Sequence, residues 1–341
     1  MNKIENGVIK YQIAFEKYKN GYTNEILKLF DEADREISRY IKLTDSVATK
    51  ARYKAIATKI REIAKELKTK IEENTDIDGV IAYELKKQRK LFDLAKPYIK
   101  KIKNGQINFV FPSVEQIRAS ALFKPASDTL TYQSYLNGIE AGLFNTWDSA
   151  VRTGYLTGQT TQQIVRNVIG GVSQIDKLKK GGTIQPLRTS VVGNTRTLLQ
   201  SFAEETREQV YRENEEYFGN GEYKYEWLST LDSRSCLVCA DLDGKLFKTI
   251  EDAQPIPKHR NCRCILLPYF NIDGDKRASK NGYVESKTTF SQWLDEQDEE
   301  TKKDVLGASR YKLYKDGVKL NQFVDNGEIL TLEELYETLD L

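Results

Sequence analysis

The chain has 341 residues, of which 39% are apolar and 30% charged, and its formal net charge is only +2. That length allows two or three domains with ample material for a core. No run approaches the roughly 18 apolar residues that a membrane span requires, and the start, Met1-Asn2-Lys3-Ile4-Glu5, is polar with no apolar signal stretch. The small net charge hides an asymmetry. Residues 1–200 carry 33 Lys+Arg against 21 Asp+Glu, and residues 201–341 carry 19 against 29, so the two halves are expected to face different surroundings. A basic half suits contact with nucleic acid or an acidic protein; the plainer account of a run such as Lys86-Lys87-Gln88-Arg89-Lys90 is a solvated helix face. No RNA-binding signature or helix-turn-helix supports sequence-specific reading of DNA.

Residues 1 to about 105 read as helical. A nearly heptad series of Val8, Tyr11, Phe15, Tyr18 and Tyr22 continues after a shift at Ile26, Leu29, Ala33, Ile37 and Tyr40. A second helix carries Ile56, Ile60, Ile63, Leu67 and Ile71 on one face, and a third runs from about Val80 to Ile102, interrupted near Pro97. Such stripes are core or partner-helix surface, and three of them suggest an extended helical arm or bundle. Gln106–Pro112 alternates and reads as a strand or an extended link.

Tyr132–Tyr155 is an expected helix with Gly138, Gly142 and Gly154 as weak points. From Gly158 a Thr cap opens a short helix that Gly170-Gly171 ends. Lys177–Gly182 reads as an exposed, mobile basic loop. A long helix is expected from about Pro186 to Phe218, with Val192, Thr195, Leu199, Phe202 and Val210 on its buried side. Beyond Gly219-Asn220-Gly221 the period changes. Tyr223–Ser229 reads as a strand, Asp243-Gly244 as a hairpin turn, and Lys245–Lys248 as a second strand.

All four cysteines and the sole histidine fall in this last region: Cys236, Cys239, His259, Cys262 and Cys264. The pattern is C-x2-C, then H-x2-C-x-C, which fits a tetrahedral zinc site of Cys and His ligands built on tight turns. A disulfide framework suits a small secreted domain, not a 39.2 kDa chain with no signal stretch. A thioredoxin-like role for Cys236 and Cys239 would need a βαβ setting, whereas the flanks are turn-rich. Five candidates compete for four places. The set favoured here is Cys236, Cys239 and Cys264, with either His259 or Cys262 as the fourth; Pro255 and Pro257 stiffen the approach. The cysteines are expected on turns beside short strands, as in a zinc-ribbon or treble-clef-like module, where a structural Zn2+ contributes folding energy directly. Trp227 is expected as an apolar cover or plain core residue. Arg234, Arg260 and Arg263 are expected to pair with Asp232, Asp241 or Asp243, or to contact phosphates.

The run from Trp227 through Asp232, Arg234, Cys236, Cys239, Asp243 and Gly244, followed by Pro257-Lys258-His259-Arg260-Asn261-Cys262-Arg263-Cys264, resembles the tailed-phage head morphogenesis family named for the Mu F protein. Asn194-Thr195-Arg196-Thr197 is similar to an Arg-Thr-Glu type segment of that family, although Leu198 stands where an acidic residue is usual. Phe290–Gln297, Val305–Arg310, Leu313–Gly317 and Leu330–Leu335 resemble its C-terminal segment. The resemblance covers roughly residues 130–341. It implies a minor head protein, a virion component inside the head near the portal vertex and in the host cytoplasm during assembly. Implied partners are the portal protein, capsid or scaffolding components and, non-specifically, packaged DNA; the implied roles are head morphogenesis and DNA packaging or ejection. No catalytic residue is carried over.

The expected fold class is therefore α+β and predominantly α-helical. Residues 1–110 form an N-terminal helical arm or bundle, 111–220 a central helical region, and 221–341 a Mu F-like zinc-knuckle module with a C-terminal helical segment. The competing class is a zinc-scaffolded HNH-type nuclease, which needs a histidine base and further ligands for a catalytic ion; His259 sits where zinc would claim it, leaving Asp232, Asp241 and Asp243. A transferase toxin fused to a Mu F-like module is a third reading, set lower because the chain ends shortly after Leu335.

Overall fold

The computed structural model describes residues 3–44, 49–99, 106–126, 130–172, 179–180, 182–219, 222–270 and 276–339. Its α-helices are α1 (Lys3–Leu43), α2 (Thr49–Asn74), α3 (Ile77–Ala95), α4 (Val114–Ala121), α5 (Tyr132–Leu156), α6 (Thr161–Ile169), α7 (Gln185–Asn214), α8 (Leu237–Leu242), α9 (Phe290–Asp295), α10 (Glu299–Lys315) and α11 (Leu332–Leu339). The strands are short: β1 (Gly171–Val172), β2 (Lys179–Lys180), β3 (Tyr225–Leu228), β4 (Leu246–Phe247), β5 (Ile265–Pro268), β6 (Lys276–Ser279), β7 (Gly282–Glu285), β8 (Val324–Asp325) and β9 (Glu328–Ile329). All their ladders are antiparallel. The fold class is the expected one, predominantly helical with a few short strands. The chain divides into two compact units: residues 1–15, 80–121 and 200–341 form one, and residues 16–79 and 122–199 the other.

The unit of residues 16–79 and 122–199 is built from amphipathic helices. The α2 stripe of Ile56, Ile60, Ile63, Leu67 and Ile71 is buried throughout, as its spacing requires, and α2 packs along α5. On α1 the buried stripe is Ile26, Phe30, Ala33, Ile37 and Ile41; Phe30 and Ile41 take the places expected of Leu29 and Tyr40. Ala33 and Ile37 fall as expected, and at the other two positions the buried residue is the i+4 neighbour and not the i+3 one, both of which lie on the same helix face. Thr131 and Thr160 open α5 and α6 with complete capping boxes, and Gly170 closes α6 at φ 77°. Gly154, expected as a weak point, is a close contact: a Cβ there would lie 2.5 Å from Ile164 Cγ1. The absent side chain lets α6 seat against α5. Of the expected basic loop, only Lys179, Lys180 and Gly182 lie within the described residues, and β2 pairs with β1 instead of running free.

In the other unit, α3 stops at Ala95 and one 3-10 turn follows around Pro97, because proline cannot continue the hydrogen-bond ladder. Residues 106–112 are an extended link without strand pairing. Asn214 fastens it, accepting from Val110 N–H at 2.8 Å and donating back to Val110 O at 2.6 Å. Phe92 gathers Phe109, Phe111, Tyr211 and Phe218 around it. Strands β4, β3 and β5 make a three-stranded sheet with β3 central, Tyr225 opposite both Phe247 and Pro268, and Trp227 opposite Leu266. A second core joins Leu237 and Ala240 of α8 to Phe290, Trp293, Leu306, Leu313, Phe323 and Leu335 of the C-terminal segment. The residues that carried the C-terminal resemblance therefore cover the short helix beside the cysteines.

Candidate metal centre

The five sequence-predicted residues converge. Cys236 N-caps α8 and Cys239 lies inside it, with the Cys239 backbone N–H donating to Cys236 Sγ at 3.4 Å. The expectation that both cysteines sit on turns is corrected for this pair: the C-x2-C spacing spans a helix start, where the sulfur takes the place of a capping oxygen. His259, Cys262 and Cys264 come from the turn that leads into β5. There the Cys262 N–H donates to His259 O at 3.1 Å, and Asn261 adopts φ 61°, a left-handed conformation that asparagine tolerates better than most residues.

The ligand atoms form two overlapping triads, Cys236–Cys239–His259 and Cys239–Cys262–Cys264, each with all its atoms within 4.8 Å of one another. Cys239 Sγ lies 3.1 Å from His259 Nε2 and 4.0 Å from Cys262 Sγ. Tetrahedral ligands about 2.3 Å from a central ion are roughly 3.7 Å apart, so the donor set could hold a metal ion. The other ring nitrogen, His259 Nδ1, donates to the Arg260 carbonyl at 2.8 Å, the outer bond that orients a metal-bound imidazole. Hydrogen bonds to Cys236 and Cys262 push His259 up to about 10, and a hydrogen bond with Cys239 is the leading cause that holds Cys236 down at about 4. Sulfurs packed this closely favour positive charge among them.

The surrounding frame was only partly legible. Trp227 is fully buried, and its Nε1–H reaches the cluster through Ser229: it donates to Ser229 Oγ at 3.0 Å, and Ser229 in turn donates to Cys239 O at 2.6 Å and lies 3.3 Å from Cys264 Sγ. Gln200 on α7 donates to Cys264 O at 3.0 Å. Arg263 forms a two-pronged pair with Asp232 at 2.6 and 2.7 Å, as expected, and Arg234 is a looser third member at 3.4 Å. Asp241 pairs with Lys245 at 2.7 Å.

Asp243, expected as the first residue of a hairpin turn, is also a buried anchor. It is 6% exposed, and its carboxylate accepts from Ser229 N–H and Phe290 N–H, each at 2.7 Å, and from both terminal nitrogens of Arg277 at 2.9–3.0 Å. One side chain thereby ties β3, β6 and the start of α9 to the Gly244 turn. Nothing near Arg277 in the sequence announces this bond, whose partners lie 34 residues apart.

A buried ion network braces the same unit. Arg207 of α7 pairs with Glu84 of α3 at 2.8 Å and also with Glu204, while Lys87 pairs with Glu84 at 2.9 Å. All four side chains are buried, so Lys87 is not part of a solvated basic face. Burial pushes Glu84 up, but Arg207 and Lys87 beside it outweigh that and hold it at about 2. For Glu204 burial wins and raises it to about 7.

The fold and the cluster together define a mostly helical α+β protein with a knuckle-like Cys/His module. Residues 149–267, roughly a third of the chain, match the family model described as Phage Mu protein F like protein. That stretch contains all five candidate ligands and bears out the Mu F-like resemblance over those residues. No curated protein and no solved structure matches the chain. Among the described residues no helix is long and apolar enough to cross a membrane.

Proposed function

We propose that this chain is a structural minor head protein of a tailed bacteriophage, not an enzyme. It sits inside the capsid at the portal vertex and acts in head morphogenesis and in DNA packaging or ejection. The observation that carries the reading is the family match across residues 149–267, which encloses the cysteine cluster. In this reading the cluster binds Zn2+ as a staple for residues 221–341, residues 111–220 form a central helical region, and residues 1–110 form a helical arm that meets the portal, capsid or scaffolding components. Any contact with packaged DNA would be electrostatic and weaken steeply with salt.

Metal analysis of the purified protein and co-purification with the portal test this directly. Absence of zinc together with absence of portal binding would overturn it. The HNH-type nuclease reading has little support in the geometry. His259 is engaged through both ring nitrogens, and Asp232, Asp241 and Asp243 are each held by a basic side chain, whereas that chemistry needs a positioned base and free carboxylates. Plasmid nicking with magnesium or manganese would favour it.

A further inference from the structure

One face of α7 joins the cysteine cluster to α3. Gln200, Glu204 and Arg207 stand at i, i+4 and i+7 of that helix and are all buried, and this spacing sets them in a row. We propose that the row couples the metal centre to α3: a bound metal ion tightens the docking of α3, and a change at the α3 end of the row weakens metal binding. The proposal rests on the zinc reading above and adds a regulation of that site.

At one end the row meets the strand that follows the last cysteine. β5 is an edge strand, since the sheet order is β4-β3-β5, and an edge leaves backbone groups without a strand partner. Gln200 Nε2–H donates to Cys264 O at 3.0 Å, and the Leu266 N–H donates to Glu204 Oε1 at 3.4 Å. A carbonyl and the N–H two residues further on point to the same side of a strand. The two side chains thus stand in for a missing neighbour and fix the path of the chain as it leaves Cys262 and Cys264.

At the other end the row meets α3. Arg207 Nη1 donates to Glu204 Oε2, Nε to Glu84 Oε1 at 2.8 Å, and Nη2 to Glu84 Oε2 at 3.4 Å, so every guanidinium nitrogen is engaged. Lys87 and Gln88, both on α3, also hold Glu84, at 2.9 and 2.7 Å. Glu204 therefore has one oxygen on Arg207 and the other on β5. Glu84 orients the guanidinium plane, and the guanidinium in turn aims the second oxygen of Glu204 at Leu266. In a buried set of this kind a displaced partner leaves the others unsatisfied, so β5 and α3 keep their places together.

Linkage is reciprocal, so the full chain can be probed from both sides. In native-state hydrogen exchange of the wild-type protein, removing zinc with a chelator should lower the protection of amides in residues 81–95 about 10-fold or more, while α2 and α5 keep theirs. In chelator competition, Glu84→Gln should weaken zinc binding about 10-fold, although the contacts of Glu84 are with Arg207, Lys87 and Gln88. Leu85→Ala removes a buried α3 side chain outside the row and should change zinc binding by less than about 2-fold. The visible bands of the cobalt-substituted protein follow ligand geometry; they should shift in Glu84→Gln and Gln200→Leu and stay in place in Leu85→Ala. Unchanged protection of residues 81–95 on zinc removal, or an equal loss through α2 and α5, overturns the coupling and leaves the zinc reading intact. So does a zinc affinity that is the same in Glu84→Gln and Leu85→Ala. A wild-type protein that takes up no zinc overturns both. The exchange is read on the wild type, so it decides the matter even if a variant fails to fold.

Discussion

Each of the two units is stabilised internally by different means. In the unit of residues 16–79 and 122–199, aliphatic stripes on α1, α2, α5 and α6 supply the core, with ion pairs such as Lys68–Glu140 at 3.2 Å on its rim. The knuckle region of the other unit has three short strands and a six-residue helix. Elements that short cannot hold themselves together. Polar side chains with exact partners do much of the holding: Asp243, Ser229, Arg207 and the sulfur cluster. A helix core of stripes degrades gradually as methylenes are removed, whereas a polar frame fails abruptly when one partner leaves, because the remaining groups are buried unsatisfied.

The sharpest way to break the comparison is to remove the metal. Cys239→Ser, or a strong chelator, is expected to abolish protection of amides in residues 225–268 in hydrogen exchange while α2 and α5 keep theirs, since structural zinc contributes on the order of 10 kcal/mol in small modules. Simultaneous loss in α2 and α5 would mean that the two units do not differ in this way. Next in size is Arg207→Met, which leaves Glu204 buried without its cation and Glu84 with Lys87 alone, and should cost about 3–5 kcal/mol in urea unfolding; the Glu84→Gln/Arg207→Met pair should recover part of it. Asp243→Ala should cost about 1–3 kcal/mol for the orphaned amides and lower the zinc affinity, read by chelator competition. Gly154→Ala, the counterpart in the helical unit, should cost about 1–3 kcal/mol through overpacking against Ile164 and leave metal content unchanged.

The smallest effect is in pH dependence. Glu84, held down at about 2, contributes stability that is present above the ordinary carboxyl value of 4.5 and lost as pH falls towards 2. Glu204, raised to about 7, does the opposite: the folded state binds the proton more tightly, so its contribution falls as pH rises from 4.5 to 7. Urea midpoints should decline over that upper window in the wild type, and Glu204→Gln should flatten the decline. An unchanged slope would remove Glu204 from the account.

Local signals in the chain were reliable where a single element decides the outcome. The stripe of α2, the Thr160 cap and Gly170 stop of α6, and the break at Pro97 follow from backbone chemistry within a few residues. So does the gathering of five donors, because C-x2-C and H-x2-C-x-C fix each half locally. The choice between Leu29 and Phe30 on α1 shows the limit of that method: i+3 and i+4 share a helix face, and spacing alone does not say which of the two is buried. Helix α4 escaped notice although Ser113 and Gln116 cap each other at its start, a Ser-x-x-Gln signature that could have revealed it. Helix α8 is too short for periodicity to register.

By itself, then, the sequence determined the helical class, the caps and breaks, the donor cluster and the Mu F-like character of residues 149–267. Tertiary structure alone decided that Asp243 is a buried hub for Arg277, that Arg207 meets Glu84 in the interior, and that Cys264 meets Ser229. These bonds join residues 34 to 123 positions apart. Spacing reports only neighbours within a turn or two of chain, whereas a buried polar group is satisfied by whichever partner the fold brings within about 3 Å.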